Sequence, residues 1–339
     1  MISRRHGRLP ATTGPLGWGL ALLALTLALV ALGVAVGSTG WSPPWLAHED
    51  PMAWQIVWDI RAPRCAGAWL AGGLLGLSGA VAQGLFRNPL ADPYLLGSSS
   101  GAALGVAVFL ALLGVSPAST LWLVRLGLTG AAFVGAVGAV LLTLALSRGV
   151  QHTLRLLLAG VVVGVVLGAI SALTMLLVPD IMRAMQAFML GTTGFMGWTS
   201  VLILLLALAF TGLLAWGCSR ALDALSLGDA AARSLGVSLG VVRALLVLAL
   251  ALSTGAAVAQ AGLISFVGLV APHLVRSRVQ TTHGPLLLLS VLTGGALLLA
   301  ADILARWVWA PQELPVGVLT AVLGGGYLLW RMRRMGALS

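Results

Sequence analysis

Residues Leu239–Val275 read LGVVRALLVLALALSTGAAVAQAGLISFVGLVAPHLV, and this run sets the architecture of the chain. It contains a single charged side chain, that of Arg243. A helix needs about 20 apolar residues to cross a bilayer, so the run is too long for one span and too short for two with a loop. We predict a spanning helix followed by a short helix broken at membrane depth, with breaks at Gly262, Gly268 and Pro272. One full helix followed by a short buried one has similar geometry.

The composition extends this prediction to the whole chain. The 339 residues are 59% hydrophobic and 8% charged, with a mean hydropathy of +1.04. A soluble domain carries charge on about a quarter of its positions, so lipid must cover most of this surface. Forty-four glycines suit closely packed helices. The apolar runs are continuous, not alternating, which disfavours a β-barrel. We predict an all-α polytopic membrane protein, with residues 1–339 as a single transmembrane domain.

Apolar runs and their polar breaks predict ten transmembrane helices. A first run after Arg4, Arg5 and Arg8 is too long for a signal-peptide core, so we predict a retained helix with its N-terminus in the cytoplasm. The predicted spans are 16–38, 62–84, 96–114, 121–146, 154–178, 199–219, 239–261, 264–275, 285–306 and 315–331.

The arginines test the orientation of these spans. The chain has 19 basic residues, and all of them are arginine. Ten spans leave five on the outside: Arg61, Arg64, Arg125, Arg183 and Arg306. The remaining fourteen fall inside, as the positive-inside rule requires. We predict a bacterial inner-membrane protein with both termini cytoplasmic. The high pI of about 11.6 does not predict nucleic-acid binding, because no soluble basic domain accompanies it.

A short internal echo joins two of the predicted helices. Residues 78–84 read SGAVAQG and residues 254–262 read TGAAVAQAG. The first copy ends an inward-running helix and the second ends an outward-running one. This is the pattern of an inverted-topology repeat. Chance similarity between short segments of common residues is the alternative.

The energy source is indicated by what the sequence lacks. No acidic residue lies near the middle of a predicted span, and no G-x-x-x-x-G-K-[ST] loop is present to hold ATP. A secondary transporter working alone would need a buried ionisable residue. A channel or scaffold would need no ATPase, but it would not explain the polar inner loop at about 220–238. There we predict a short amphipathic surface helix, capped by Ser226 and ended by Gly236. A surface connector without a partner is the alternative.

Three separated motifs resemble one known family. The first comprises Arg61-Ala-Pro-Arg64, Gly72-Gly73, Ser78-Gly79, Gln83, Arg87-Asn-Pro-Leu-Ala-Asp-Pro93 and Leu96-Gly97. The others are residues 262–273, GLISFVGLVAPH, with Arg276, and residues 314–324, LPVGVLTAVLG. In this order they resemble the FecCD-type permeases of type II ABC importers, which take up ferric siderophores, haem and cobalamin. Gly324-Gly325-Gly326 departs from the family's Gly-Gly-Pro step, and Leu190–Gly194 follows its pattern only loosely.

The resemblance implies a vitamin B12 importer-like permease fold with ten helices per subunit. It implies a homodimer, or two related halves, with the translocation path at their interface. Two cytoplasmic ABC ATPase subunits would lie beneath, and a periplasmic substrate-binding protein would deliver cargo. The chain itself would be no enzyme and would bind no metal or cofactor, since ATP and Mg belong to the partner subunit. We expect an iron chelate, a ferric siderophore or haem, as cargo, with cobalamin close behind.

The resemblance also assigns residues. Its coupling helix, which contacts the ATPase, matches Leu225, Leu227, Gly228, Asp229, Ala232, Arg233, Leu235 and Gly236. Its docking arginines, which contact the binding protein, match Arg61, Arg64 and Arg306. The alternative is that these arginines snorkel to the interface or pair with Asp59 and Asp302. Gly164, Gly168 and Ser171 suit the lining of a wide path, and they suit a packing face equally well.

Overall fold

The computed structural model describes residues 14–37, 40–41, 51–114, 122–147 and 153–336. The predicted inner residues Arg4, Arg5, Arg8 and Arg148 lie outside these ranges. So do the acidic residues Glu49 and Asp50 of the first outer loop.

Ten helices of the described residues follow the predicted order. They are α1 Pro15–Ala35, α2 Ala62–Phe86, α3 Ser98–Leu113, α4 Trp122–Leu146, α5 Thr153–Leu177, α6 Trp198–Gly217, α7 Leu239–Ala261, α8 Val267–Arg278, α9 His283–Trp307 and α10 Val316–Gly336. Seven helices are long and apolar enough to span a membrane, α3 and α10 are shorter apolar helices, and α8 has 12 residues.

Short elements complete the described chain. Helix Pro51–Ile56 and a π-helical turn, Val57–Arg61, lead directly into α2. Two-residue strands β1 (Val36–Gly37) and β2 (Gly40–Trp41) pair antiparallel, with Val36 opposite Trp41. The remaining short helices are Pro93–Leu96, Pro179–Ile181, Met182–Leu190, Ser219–Ser226 and Asp229–Ser234.

Contacts between helix ends define two faces. At the face we call outer, the Arg306 guanidinium near the end of α9 donates to the carbonyls of Gly33 and Val36 at the end of α1. At the face we call inner, Arg278 at the end of α8 stacks over Trp18 near the start of α1. The two ends of α1 thus mark opposite faces, as the predicted topology requires.

Helices α2, α7 and α9 form the core. In α2, 89% of the most apolar window is buried, against 17% in α1 and in α6. Glycines allow α2 to pack this closely. Gly72 faces the carbonyl of Gly294 on α9, and Gly76 faces that of Ser290, and neither position has room for a methyl group. Small residues at helix crossings are the usual means of close packing in membranes.

The predicted break between α7 and α8 is present at residues 262–266 and includes Gly262, but the breaks predicted at Gly268 and Pro272 are wrong, because both residues lie within α8. Gly262 has a φ of 70° and Phe266 a φ of 68°, so the helix cannot continue through them. The freed backbone groups are bound within the protein. The Tyr94 hydroxyl donates to the carbonyl of Ile264, and the amide of Leu263 donates to the carbonyl of Phe188. Non-helical backbone is tolerated at membrane depth only when it is covered in this way.

The outer helices present an apolar surface. Exposed valines and leucines run along α5, and exposed leucines along α6, in the manner of lipid-facing helices. Exposed tryptophans lie at both faces. At the outer face the rings of Trp58 and Trp198 contact each other in a tilted arrangement, with their centroids 5.1 Å apart. Trp216 and Trp330 lie near inner helix ends. Such aromatic belts mark the two membrane–water interfaces.

The two copies of the internal echo lie on α2 and α7. These helices pack together and run in opposite directions, since α2 ends at the inner face and α7 begins there. Their arrangement is the one that an inverted repeat requires, and superposition of the two halves stays a prediction.

Candidate functional site

The inner connection between α6 and α7, residues 219–237, is called the coupling segment here. Its two helices, Ser219–Ser226 and Asp229–Ser234, are separated by Gly228, whose φ of 108° suits glycine. Gly236, with a φ of 81°, ends the second helix as predicted. The predicted cap at Ser226 is wrong. Ser226 is the last residue of the first helix, and its hydroxyl donates to the carbonyl of Asp223.

The apolar side chains of the segment divide between two surfaces. Leu225 and Ala232 are buried against the bundle, whereas Leu227 and Leu235 are 70% and 64% exposed. The single amphipathic helix predicted from the sequence is split in the structure, because Leu227 lies between the two helices. Both leucines nevertheless point away from the protein. Exposed apolar side chains on a polar surface are typical of a protein–protein contact.

Ion pairs and hydrogen bonds fasten the segment to three spanning helices. Asp229 lies 3.2 Å from Arg87 Nη2 at the end of α2, and 2.7 Å from Arg243 Nη2 on α7. Asp223 accepts from both the backbone amide and Nδ1 of His283 at the start of α9, at 2.9 and 2.7 Å. A displacement of the segment would therefore also displace the ends of α2, α7 and α9 that it contacts.

The arginines lower the pKa of Asp229. Partial burial would raise the pKa of this carboxyl, but the hydrogen bond and charge of Arg243, with the charges of Arg87 and Arg233, outweigh burial. Asp229 is thus ionised at neutral pH, as its two ion pairs require.

The partners Arg87 and Arg243 were assigned no coupling role from the sequence. A signal for Arg243 exists, because it is the single charge within the Leu239–Val275 run. A buried arginine requires an acidic partner, and Asp229 lies 14 positions away. Arg233, which the resemblance assigns to coupling, lies exposed on the second helix of the segment.

The three predicted docking arginines lie in a buried cluster at the outer face. Arg64 Nε is 2.9 Å from Asp302 Oδ1, and its Nη1 is 2.9 Å from Glu313 Oε2. Arg306 Nη2 is 2.8 Å from Asp302 Oδ2. Arg61 donates to the carbonyl of Val34. This outer cluster joins α1, α2, α9 and the connection from α9 to α10.

The outer cluster favours the pairing alternative for Asp302 but not for Asp59. Asp302 is fully buried between Arg64 and Arg306 and also accepts from Thr193, whereas Asp59 is exposed and forms no ion pair in the described part of the chain. All three arginines are engaged within the chain in this conformation. Docking of a binding protein through them stays a prediction.

The predicted path residues lie on α5. Gly164 lines a cavity of about 390 Å³ together with Asp92, Tyr94 and Ser100. Gly168 also faces Ser100, and Ser171 is buried. The glycines thus face both a cavity and the packing partner α3, so a lining role stays a prediction.

Comparisons with known proteins agree with this architecture. The FecCD transport family matches residues 21–334, from within α1 to the last turns of α10. The chain belongs to the FecCD transport family. Among FecCD relatives, it is 40% identical over 321 residues to the hemin transport system permease protein HmuU of Yersinia pestis, covering 93% of this chain and 94% of that protein.

Another FecCD relative is the vitamin B12 import system permease protein BtuC of Klebsiella pneumoniae. The two sequences are 38% identical over 323 residues, which is 94% of this chain and 93% of that protein. Among solved structures, an inward-facing metal-chelate type ABC transporter matches with a TM-score of 0.83 and 27% identity, covering 93% of this chain and 99% of that one. PsaBC from Streptococcus pneumoniae shares the fold, with a TM-score of 0.57 and 18% identity over 78% of this chain and 88% of that one. The FecCD chain is therefore a membrane-spanning permease of the ABC importer class.

The side chains that commonly bind metals do not cluster in the described residues. Among them, no group of three or more His, Cys, Asp or Glu side chains is placed to hold a metal ion. His273, the histidine of the second motif, packs edge-on against Tyr327 with ring centroids 6.2 Å apart.

Proposed function

We propose that this FecCD permease carries a metal chelate, haem or a ferric siderophore, from the periplasm into the cytoplasm of a bacterium. Two ATPase subunits bind its inner face, and a periplasmic binding protein delivers cargo to its outer face. The chain performs no catalysis itself. A second copy of the permease completes the path, and the inner face, with both termini, lies in the cytoplasm.

The coupling segment carries this proposal. It presents Leu227 and Leu235 to solvent on a base that ion pairs fix to α2 and α7 and hydrogen bonds fix to α9. Two strongly exposed leucines on a supported segment fit a partner surface better than a connector without a partner. An ATPase groove that receives both side chains accounts for their exposure and for the rigidity beneath them.

Alternating access follows from this arrangement. Closure of the ATPase subunits on ATP would displace the coupling segment, and its ion pairs would pass the displacement to the core helices. Rigid-body movement of packed helices about an interface is a common transport device. An ion-coupled secondary transporter is disfavoured, because Asp302, the buried carboxylate of the outer cluster, is held by Arg64 and Arg306.

The proposed cargo is supported by the relatives. HmuU is named for hemin and BtuC for vitamin B12, and their identities to this chain differ by two percentage points. Haem is the first candidate because the identity to HmuU is the higher of the two, and the metal-chelate type of the similar structure agrees with it. Cobalamin is the second candidate because of the BtuC similarity.

Transport by the reconstituted complex tests the proposal. The permease, its ATPase and its binding protein are placed in liposomes, and uptake of haem, a ferric siderophore and cobalamin is measured with ATP inside. We expect uptake of haem or the siderophore that needs ATP and survives a protonophore. Uptake of cobalamin alone would reassign the cargo. Uptake on an ion gradient without ATPase would refute the proposal.

A further inference from the structure

Asp229 lies where three parts of the inner face meet. Its Oδ1 binds Arg87 of the α2–α3 connection, and its Oδ2 binds Arg243 of α7. Each carboxylate oxygen thus serves a different helix. A carboxylate accepts two arginines in this way without strain, and such charge-assisted bonds are stronger than neutral ones.

The two arginines are held in different ways. The side chain of Arg243 is 4% exposed and pairs with Asp229 in a buried setting, whereas that of Arg87 is 42% exposed. Arg87 is fixed instead by its backbone. Its φ of 50° is one that side-chain-bearing residues rarely adopt, and its amide bonds to the carbonyls of Gln83 and Gly84 in the last turn of α2. A displacement of Arg87 would therefore also displace the C-terminal end of α2.

Helix α2 connects this point with the opposite face. Its 25 residues span about 37 Å, and nearly all of them are buried. Near its outer end Arg64 binds Asp302 and Glu313. A stiff, buried helix with an ion-pair cluster at each end can carry a displacement between the two faces.

We propose that Asp229 is a positioning residue that links the coupling segment to α2 and α7 and transmits ATP-driven displacement to the outer cluster. This inference rests on the proposed function, in which Leu227 and Leu235 of the segment meet the ATPase. The proposed role of Asp229 lies within its own chain, because both its oxygens are bound to arginines of that chain, while Leu227 and Leu235 are exposed.

The experiment measures cargo imported per ATP hydrolysed by the reconstituted complex, together with ATPase co-purification and thermal stability. The variant Asp229→Asn keeps the shape of the side chain and removes its charge. We expect it to retain bound ATPase and ATP hydrolysis, while cargo imported per ATP falls about fivefold or more. Asp229→Glu should restore the ratio. Asp180→Asn, the same change at an exposed outer residue, should leave it unaltered.

The outcomes distinguish a positioning role of Asp229 from a role in ATPase contact. An unchanged ratio in Asp229→Asn overturns the inference, and loss of ATPase binding would make Asp229 a contact residue instead. If Asp229→Asn fails to fold, Arg87→Gln supplies the test, because its exposed side chain leaves the fold intact. An unchanged ratio in Arg87→Gln then overturns the inference. Failure of the wild-type complex to bind an ATPase or use ATP would refute the proposed function itself.

Discussion

Gly79 on α2 lies against the carbonyl of Gly268 on α8, so that the two helices touch backbone to backbone. This contact seats the short helix after the break against the most buried helix of the bundle. Gln83, one turn further along α2, donates to the carbonyl of Leu269 at 3.1 Å. The motif glycine and the motif glutamine thus do one job, which is to hold α8 against α2.

The first prediction concerns Gly79→Ala. A methyl group there would overlap the carbonyl oxygen of Gly268, and an overpacked core costs about 1–3 kcal/mol. We expect a lower melting temperature for the purified permease. Gly212→Ala on α6 is the matched control, because open space surrounds that glycine. Equal melting temperatures for both variants would contradict the close contact.

The second prediction concerns Asp302→Asn. The change leaves Arg64 and Arg306 buried without their shared carboxylate, and breaking a buried pair costs about 3–5 kcal/mol. We expect a marked loss of thermal stability in detergent. Asp59→Asn, at an exposed outer position, should be neutral. A stable Asp302→Asn protein would show that Glu313, for Arg64, and the carbonyls of Gly33 and Val36, for Arg306, satisfy the two arginines.

The third prediction separates the two kinds of leucine in the coupling segment. Leu227→Ala and Leu235→Ala should leave the melting temperature unchanged and weaken ATPase binding by about tenfold or more. Leu225→Ala, the same change at a buried position, should destabilise the permease by about 2–5 kcal/mol. Binding of the ATPase to detergent-solubilised permease, measured by titration, distinguishes them. Tight binding by the double variant Leu227→Ala, Leu235→Ala would rule out this contact.

The fourth prediction is a pH dependence. The pKa of Asp229 is lowered in the folded protein, so its stabilising contribution is present above its ordinary value of 3.8. That contribution is lost as the pH falls through the lowered folded pKa. We expect the stability difference between wild type and Asp229→Asn to be constant from about pH 8 to pH 5 and to vanish only in stronger acid. A difference that titrates near neutrality would assign the effect to another group.

The spanning helices could be predicted because their length and apolarity are local properties. Helix α7 was predicted at 239–261 and begins and ends at Leu239 and Ala261. The break after it was predicted from the length of one run and the glycine that ends the helix. These features depend on residues that are close together in the sequence, so one sequence suffices.

The site residues were harder to predict because their partners are distant. Arg64 and Asp302 are 238 positions apart, and nothing local indicates that the arginine is buried and paired. The prediction of a single helix in the coupling segment was wrong even though it depends on neighbouring residues. Gly228 adopts a φ of 108° and splits the predicted helix, and a glycine permits a helical or a broken backbone alike.

The distance between Arg64 and Asp302 also constrains how the protein is made. Helix α2 leaves the ribosome early, but its ion-pair partner on α9 is synthesised only after six further helices. An unpaired arginine at the centre of a bilayer costs about 2.5–3.5 kcal/mol on insertion scales, whereas one near a helix end, such as Arg64, can reach the interface. During synthesis the outer end of α2 must therefore stay near the lipid headgroups or the insertion machinery. A nascent chain that stops before α9 would leave its most deeply buried helix without the carboxylate that neutralises it.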